Sequence, residues 1–234
     1  MRWSASAIPR SSRSSPPTRG RESRYICVLS ALKAAFNPYF RGMKSPDVAP
    51  YWGLRSRADP GGHVTLRASL FANRMPPRGF YFGRTAAAIH GLPLPLRFIG
   101  DTRLHVGVPA GARRVDALGT VPHHVRVAPQ DVVFHRSMRV SSVGRTWCDL
   151  AASGLTLAEL VAAGDRTVWW RAPRTTVDEL EASILRYEGR RGARLMRTAF
   201  DLLSDRSDSA PESEVRVAVV LAGFPPRQSR SMEP

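Results

Sequence analysis

Acidic residues near the C-terminus are the first candidates for chemistry, because two convergent carboxylates can hold a Mg²⁺ ion that hydrolyses a phosphodiester. Such a site commonly adds a lysine that stabilises the charged transition state. After Glu212 the only acidic residues are Glu214 and Glu233, and no lysine follows Lys44. Glu212 also stands three residues after Ser209, as in a helix capping box. The pattern therefore predicts no catalytic residue in this region.

The six histidines are the next candidates, as metal ligands. His123 and His124 are adjacent in a predicted strand, so their side chains would point to opposite faces of a sheet. His90 ends a predicted helix and His105 begins a strand, and at such positions a hydrogen-bonded, partly buried histidine is much more common than a metal ligand. We therefore predict no metal site.

Motifs for larger ligands are also missing. The sequence has no Gly-rich loop ending in lysine, no GxGxxG motif and no GxSxG elbow. Cys27 and Cys148 are too far apart to indicate a disulfide framework or a metal cluster. Trp169 and Trp170 could stack on bases, but such a pair more often covers a core or a seam between domains. The chain is predicted to need no cofactor.

The charge of the chain indicates its partner more clearly. The formal net charge is +16 and the isoelectric point is about 11.4, a balance typical of proteins that bind phosphate backbones. Almost all basic residues are arginine, which also fits a merely compositional origin. We predict DNA as the partner, with phosphate contacts from Arg41, Lys44, Arg55 and Arg57. The alternative, that these four are solvated surface residues, is about equally good.

Location follows from what the sequence lacks. No run approaches the roughly 18 apolar residues of a membrane span, and residues 25–32 are too short and polar for a signal peptide. Residues 1–24 are rich in Arg and Ser and have few large apolar residues, which predicts a flexible basic arm rather than a transit peptide. A cytoplasmic protein without membrane contact is expected.

The elements that must position these residues predict an α+β fold. Residues 25–62 are interpreted as the remnant of a small helical DNA-binding module followed by a Pro- and Gly-rich linker. In the body, residues 63–208, Thr65 would cap the helix LRASLFANRM and a second helix would stop at Gly91, giving a central helical hairpin. Alternation then predicts a small antiparallel sheet of three strands, at 104–108, 123–127 and 132–136.

Capping residues predict that helices return toward the C-terminus. Ser141 or Ser142 would begin the first of them. Capping boxes, each with a glutamate three residues further on, would begin three more at Thr156, Thr176 and Ser209. These signals place Glu212 in the first turn of the last helix.

Several blocks, taken in order, carry a resemblance to a known family. They are FRGMK near residue 40, ANRMPPRGFYFGRTAAAIHGLPLP at 72–95, LHVGVP, VSSVGRTWCDLA, LVAAGD and SAPESEVRVAVVLAGFP. This pattern resembles the bacterial AbiEi-type antitoxins of type IV toxin–antitoxin systems. Many of those proteins also carry a C-terminal domain similar to very-short-patch-repair endonucleases. The similarity covers roughly residues 40–226.

The resemblance implies an N-terminal winged helix that binds DNA and represses its own operon, followed by an α/β domain. It also implies that Glu212 and Arg216, in PESEVR, are the vestige of the helix that opens the nuclease-like fold. Residues 209–234 would then be the truncated start of that domain, because the acidic strands that complete the family pattern do not occur before Pro234. Val215, Val219 and Val220 would lack a burial partner, so poor packing is expected after about residue 208.

Two functional hypotheses follow, with a third held below them. The first is a non-enzymatic, DNA-binding, antitoxin-like transcriptional regulator, linked to a cognate toxin through their operon. The second is a truncated and inactive protein with a very-short-patch-repair-like endonuclease domain. The third is a module that neutralises a toxin by direct contact through its C-terminal helices.

Overall fold

The structure, a computed structural model, describes residues 48–51, 54–56 and 61–224. The first two ranges are strands β1 (Val48–Tyr51) and β2 (Leu54–Ser56), which pair in antiparallel fashion as a ribbon. The sequence predicted a linker here because of its prolines. A two-stranded ribbon accommodates Pro50, since each strand has an edge on which the missing N–H removes no ladder hydrogen bond. All the described residues belong to one compact unit.

A five-stranded sheet lies in the first half of the body, with strand order β5-β4-β3-β7-β6. Its strands are β3 (Phe80–Tyr81), β4 (Leu104–Pro109), β5 (Thr120–Val125), β6 (Val132–His135) and β7 (Met138–Ser141). β3 pairs antiparallel with β4, and β6 pairs antiparallel with β7. β4–β5 and β3–β7 are parallel pairs. The prediction of an antiparallel sheet is therefore wrong, and the sheet is mixed.

Helices α1 (Val64–Phe71) and α2 (Gly83–His90) flank β3 and pack on each other. Thr65 lies inside α1, so its predicted role as a cap is wrong, and His63 occupies the N-cap position without a side-chain hydrogen bond. α2 ends as predicted at Gly91, whose φ of 65° is left-handed. The Tyr81 hydroxyl donates to the carbonyl oxygen of Ala68, which ties α1 to the sheet.

Helices make up the remaining body. They are α3 (Leu96–Ile99), α4 (Val143–Leu150), α5 (Leu157–Val168), α6 (Val177–Tyr187), α7 (Ala193–Phe200) and α8 (Ala210–Leu221). The predicted caps are confirmed at Ser142, Thr156, Thr176 and Ser209, each of which accepts a hydrogen bond from the amide three residues later. The full capping box is confirmed at Thr156 and Thr176, whereas at Ser209 the glutamate accepts from the Asp208 amide instead. The α+β fold is thereby confirmed.

Trp147 is the centre of the helical core and is fully buried. Its indole Nε1 donates to the carbonyl oxygen of Leu160 at 2.9 Å, so the ring's polar atom is satisfied inside the core. Gly164 provides the space, because a Cβ there would lie 2.8 Å from that indole nitrogen and 2.4 Å from a methyl group of Leu203. A side chain at residue 164 would force α5 away from α4.

The last helix, α8, packs against α5. Ser213 and Val217 are buried, and the Arg216 guanidinium donates to an Asp165 carboxylate oxygen at 2.6 Å. The expectation of poor packing after residue 208 is therefore wrong for the inner face of this helix, but the predicted lack of burial is confirmed for Val215 and Val219; Val220 is half-buried. Val215 and Val219, on its outer side, are exposed.

The β6–β7 hairpin has a two-residue turn, since His135 pairs with Met138. Arg136 and Ser137 in that turn have φ values of 48° and 64°. Both central residues are thus left-handed, as the twist of a two-residue hairpin favours.

Among the described residues, no helix is both long and apolar enough to cross a membrane.

Candidate nucleic-acid interface and a basic cleft

Of the four predicted phosphate-contacting residues, Arg55 lies on strand β2 of the ribbon. Arg41, Lys44 and Arg57 fall outside the residues that the structure describes. The ribbon itself is a finding that sequence analysis missed, since short strands containing proline give no clear alternation. It places one of the predicted DNA-binding residues on an antiparallel β-ribbon.

Glu212 and Arg216, the predicted vestige of a nuclease helix, have structural contacts. The Glu212 carboxylate accepts a hydrogen bond from the backbone N–H of Asp208 at 2.9 Å, and the Glu212 backbone N–H donates to the Ser209 hydroxyl. Arg216 pairs with Asp165 and donates to the carbonyl oxygen of Leu202 at 2.7 Å. Burial raises the pKa of Asp165, and Arg216 supplies the opposing charge. Through these contacts both side chains stabilise the position of α8 in the fold.

Four of the described histidines, His90, His105, His123 and His135, make hydrogen bonds or ring contacts. His90 Nε2 lies 2.7 Å from the carbonyl oxygen of Ser141, and His105 Nδ1 lies 3.0 Å from His123 Nε2 with the two rings stacked. Burial, and then the charge of Arg84, lowers the pKa of His105 to about 4. Within residues 61–224, no group of three or more His, Cys, Asp or Glu could hold a metal ion.

The two adjacent tryptophans differ in environment. Trp169 Nε1 donates to an Asp208 carboxylate oxygen at 2.9 Å, so this ring joins the end of α5 to the segment before α8. Trp170 is 49% exposed, with the guanidinium carbons of Arg171 and Arg206 at 5.0 and 5.2 Å from its ring centre. Trp169 is thus half-buried and joins two segments of the same compact unit, whereas Trp170 is a surface residue between two cations.

A buried ionic cluster joins α4 to the start of β6. The Arg145 guanidinium donates to Asp149 at 2.9 Å, to Asp131 at 3.0 Å and to the carbonyl oxygen of Arg126 at 3.0 Å. All three charged side chains are almost fully buried. Arg186 adds a second cation at 3.2 Å from Asp131. Sequence analysis missed this cluster because Asp131 and Arg145 belong to different elements.

A cleft opens beside this cluster, between the edge strand β6, the N-terminus of α4 and the face of α6. Its volume is about 570 Å³. Its lining includes basic groups that the sequence did not associate, among them His135 of β6, Arg174 and Arg186. His90 reaches the same cleft from α2, with its ring centre 5.4 Å from that of His135. Burial lowers the pKa of His90, which favours its neutral form.

Arg174 is the most unusual side chain of the cleft. Its Nε donates to the carbonyl oxygen of His90 at 2.5 Å, and one terminal nitrogen donates to the carbonyl oxygen of Arg166 at 3.2 Å. It makes no ion pair with any carboxylate of the described residues. The Glu179 carboxylate, which also lines the cleft, accepts instead from Thr175 Oγ1 at 2.8 Å and from the Thr176 amide at 3.2 Å. The Arg174 charge is therefore fixed in place but not neutralised.

Comparisons of the chain with protein-family models, with curated proteins and with solved structures find no match.

Proposed function

We propose that the chain is a non-enzymatic DNA-binding regulator of antitoxin type, which contacts duplex phosphates through the β1–β2 ribbon and the basic residues that flank it. The observation that carries the proposal is an antiparallel ribbon bearing Arg55 within a chain of net charge +16. Arg41, Lys44 and Arg57 flank the ribbon in sequence.

A β-ribbon suits this role for geometric reasons. A two-stranded ribbon fits the major groove of B-DNA, and its side chains alternate between the two faces, so that one face can meet the nucleic acid. Guanidinium groups on or beside the ribbon neutralise phosphates and release their counterions. Binding of this kind needs no catalytic residue, in keeping with the structural contacts of Glu212 and Arg216.

The resemblance to AbiEi-type antitoxins supplies the biological setting of the proposal. A regulator of that type binds the duplex upstream of its own operon and limits expression of the toxin encoded beside it. DNA is then the direct partner, and the toxin is a partner only at the level of the operon. The specific target duplex is therefore expected in the upstream region of the gene.

The test is binding of the full chain to a labelled duplex from that upstream region, measured by fluorescence anisotropy at several salt concentrations. The informative variant replaces Arg41, Lys44, Arg55 and Arg57 together with Gln. The slope of log affinity against log salt is negative, and each lost phosphate contact reduces its magnitude by about 0.9, so the magnitude should fall by roughly 3 to 4.

A matched control removes the same charge from the body, by replacing Arg78, Arg113, Arg114 and Arg191 with Gln. These four are exposed and make no ion pair with the described residues. The control should retain most of the slope. Equal losses in both variants would mean that only bulk charge matters, and no binding at low salt would reject the proposal outright.

A further inference from the structure

The basic cleft has the size of a small-molecule site. Its volume of about 570 Å³ lies within the range of roughly 300–1,000 Å³ that is typical of ligand pockets. Its walls come from the strand β6, the helices α4 and α6, and residues 174 and 175. Elements distant in sequence thus converge on one concave surface that the ribbon and the proposed regulatory role do not use.

Positive charge dominates one part of the cleft. Arg174 is held by two carbonyl oxygens and has no carboxylate partner within the described residues. Arg145 and Arg216, which are also half-buried or fully buried, each have an aspartate partner. Arg139 and Arg190, like Arg174, donate to carbonyl oxygens, but they lie outside the cleft. Burial and the nearby Arg166 lower the pKa of Arg174, which reflects the cost of holding this cation without a counter-charge. An anionic ligand would supply the missing partner.

The start of α4 adds a second group of donors. Ser142, Val143 and Gly144 line the cleft, and the amides of Val143 and Gly144 belong to the first turn of a helix, where no intrahelical acceptor exists. The helix dipole favours a negative charge at this end. Arg186, although it pairs with Asp131, lines the same cleft from α6. Two guanidinium groups and a helix N-terminus are the donors that bind phosphate esters.

The rim of the cleft is apolar and aromatic. Phe134 is 77% exposed and Val133 is 37% exposed, and both line the cleft from the edge strand β6. An exposed phenylalanine ring beside an anion site offers a stacking surface for a planar group. The combination of a phosphate site and an aromatic platform therefore selects ligands that have both a phosphate and a ring system.

We propose that this cleft binds a nucleoside phosphate, with the phosphate at Arg174 and the α4 N-terminus and the base against Phe134. The ligand is either a free mononucleotide or the phosphorylated end of a nucleic-acid strand, since the two share this chemistry. The proposal is independent of the proposed regulatory function, because it uses none of the residues of the ribbon.

The test is isothermal titration calorimetry of the full chain with adenosine 5′-monophosphate, guanosine 5′-monophosphate, adenosine and inorganic phosphate. Both monophosphates should bind at least tenfold more tightly than adenosine. Phe134→Ala should weaken their binding about fivefold or more through lost stacking, and should leave inorganic phosphate unaffected. Phe224→Ala, at an exposed phenylalanine outside the cleft, is the matched control and should change nothing.

Arg174→Gln should reduce binding of both the monophosphates and inorganic phosphate, with circular dichroism as the check that the fold is retained. Phe134 is mostly exposed, so its variant keeps the proposal testable even if Arg174→Gln unfolds. Monophosphate binding that is absent, or that Phe134→Ala leaves unchanged, would overturn the proposal. Competition by an oligonucleotide with a 5′-phosphate, but not by its 5′-hydroxyl form, would identify the strand end as the ligand, and no competition by either would identify the free mononucleotide.

Discussion

Arg145 and Arg174 are both fixed by several hydrogen bonds, but their acceptors differ in kind. Arg145 donates to two aspartates and one carbonyl oxygen, whereas Arg174 donates to carbonyl oxygens alone. A carboxylate neutralises a guanidinium, while a carbonyl only orients it. The first arrangement makes a structural cluster, and the second leaves an oriented charge facing a cleft. The type of acceptor thus distinguishes these two arginines: Arg145 is neutralised inside the fold, and Arg174 keeps its charge at the wall of the cleft.

The buried cluster carries more aspartate charge than Arg145 alone neutralises. Burial raises the pKa of Asp149 to about 7, with Arg145 opposing the shift. One Asp149 oxygen has no hydrogen-bond partner among the described residues. Arg186, on the rim of the cleft, supplies the second cation to Asp131. The two regions therefore meet at Arg186, which lines the ligand site and contributes to the cluster.

The largest effect is expected from Arg145→Ala. The substitution would leave Asp131 and Asp149 buried without their shared cation, and breaking a buried ion pair in this way costs about 3–5 kcal/mol of unfolding free energy. Urea denaturation followed by circular dichroism measures the change. Arg113→Ala, at an exposed arginine, is the control and should stay within about 0.5 kcal/mol. A loss equally small at residue 145 would show that the cluster does not stabilise the fold.

A second, smaller effect concerns pH. Asp149 has a raised pKa, so its contribution to stability is complete below pH 4 and is lost as pH rises toward 7. His90 and His105 have lowered pKa values, so their contribution has the opposite sign and grows as pH rises toward 6.5. The substitution Asp149→Asn removes the pH-dependent contribution of Asp149 and leaves those of the two histidines in place. The unfolding free energy of the variant should therefore rise more steeply between pH 4 and pH 7 than that of the unmodified chain.

The measurement is urea denaturation at half-unit pH intervals on both proteins, which compares slopes rather than absolute stabilities. A weakened contact with Arg145 lowers the unfolding free energy by the same amount at every pH, so it shifts the plot of unfolding free energy against pH and leaves its slope unchanged. Parallel curves would mean that Asp149 titrates in the native state as it does in the unfolded chain.

The smallest effect on stability is expected from Arg174→Gln. Carbonyl oxygens left by a half-buried arginine can be solvated by water, so the loss should be about 1 kcal/mol, well below that at Arg145. The same variant should lose phosphate binding, so the ratio of the two effects distinguishes the two arginines. Equal destabilisation by Arg174→Gln and Arg145→Ala would remove the distinction between the two kinds of acceptor.

Local signals in the sequence were sufficient for most helix ends. The N-caps at Ser142, Thr156 and Thr176 and the left-handed stop at Gly91 depend on residues within one turn of each other, so a short window contains the whole cause. The prediction of a cap at Thr65 is wrong because the cap position depends on where the chain enters the helix. Here the N-cap is His63, two residues earlier.

Short sequence windows could not predict the contacts between distant segments. β3 has only two residues, too few to show alternation, yet it lies between β4 and β7 and pairs in parallel with β7. Arg174 reaches His90 across 84 residues of sequence. Neither the mixed sheet nor the cleft follows from spacing or composition, because both arise when separate elements pack.

The turn between β6 and β7 contains backbone strain that lowers the stability of the fold. Left-handed backbone costs an ordinary L-residue roughly 1–2 kcal/mol, and Arg136 and Ser137 both adopt it. Asn and Gly relieve much of that strain, and the two side chains are exposed, so Arg136→Asn with Ser137→Gly would disturb no packing. The hairpin tip is therefore a position at which two substitutions can raise the thermal stability of the chain without altering its packing.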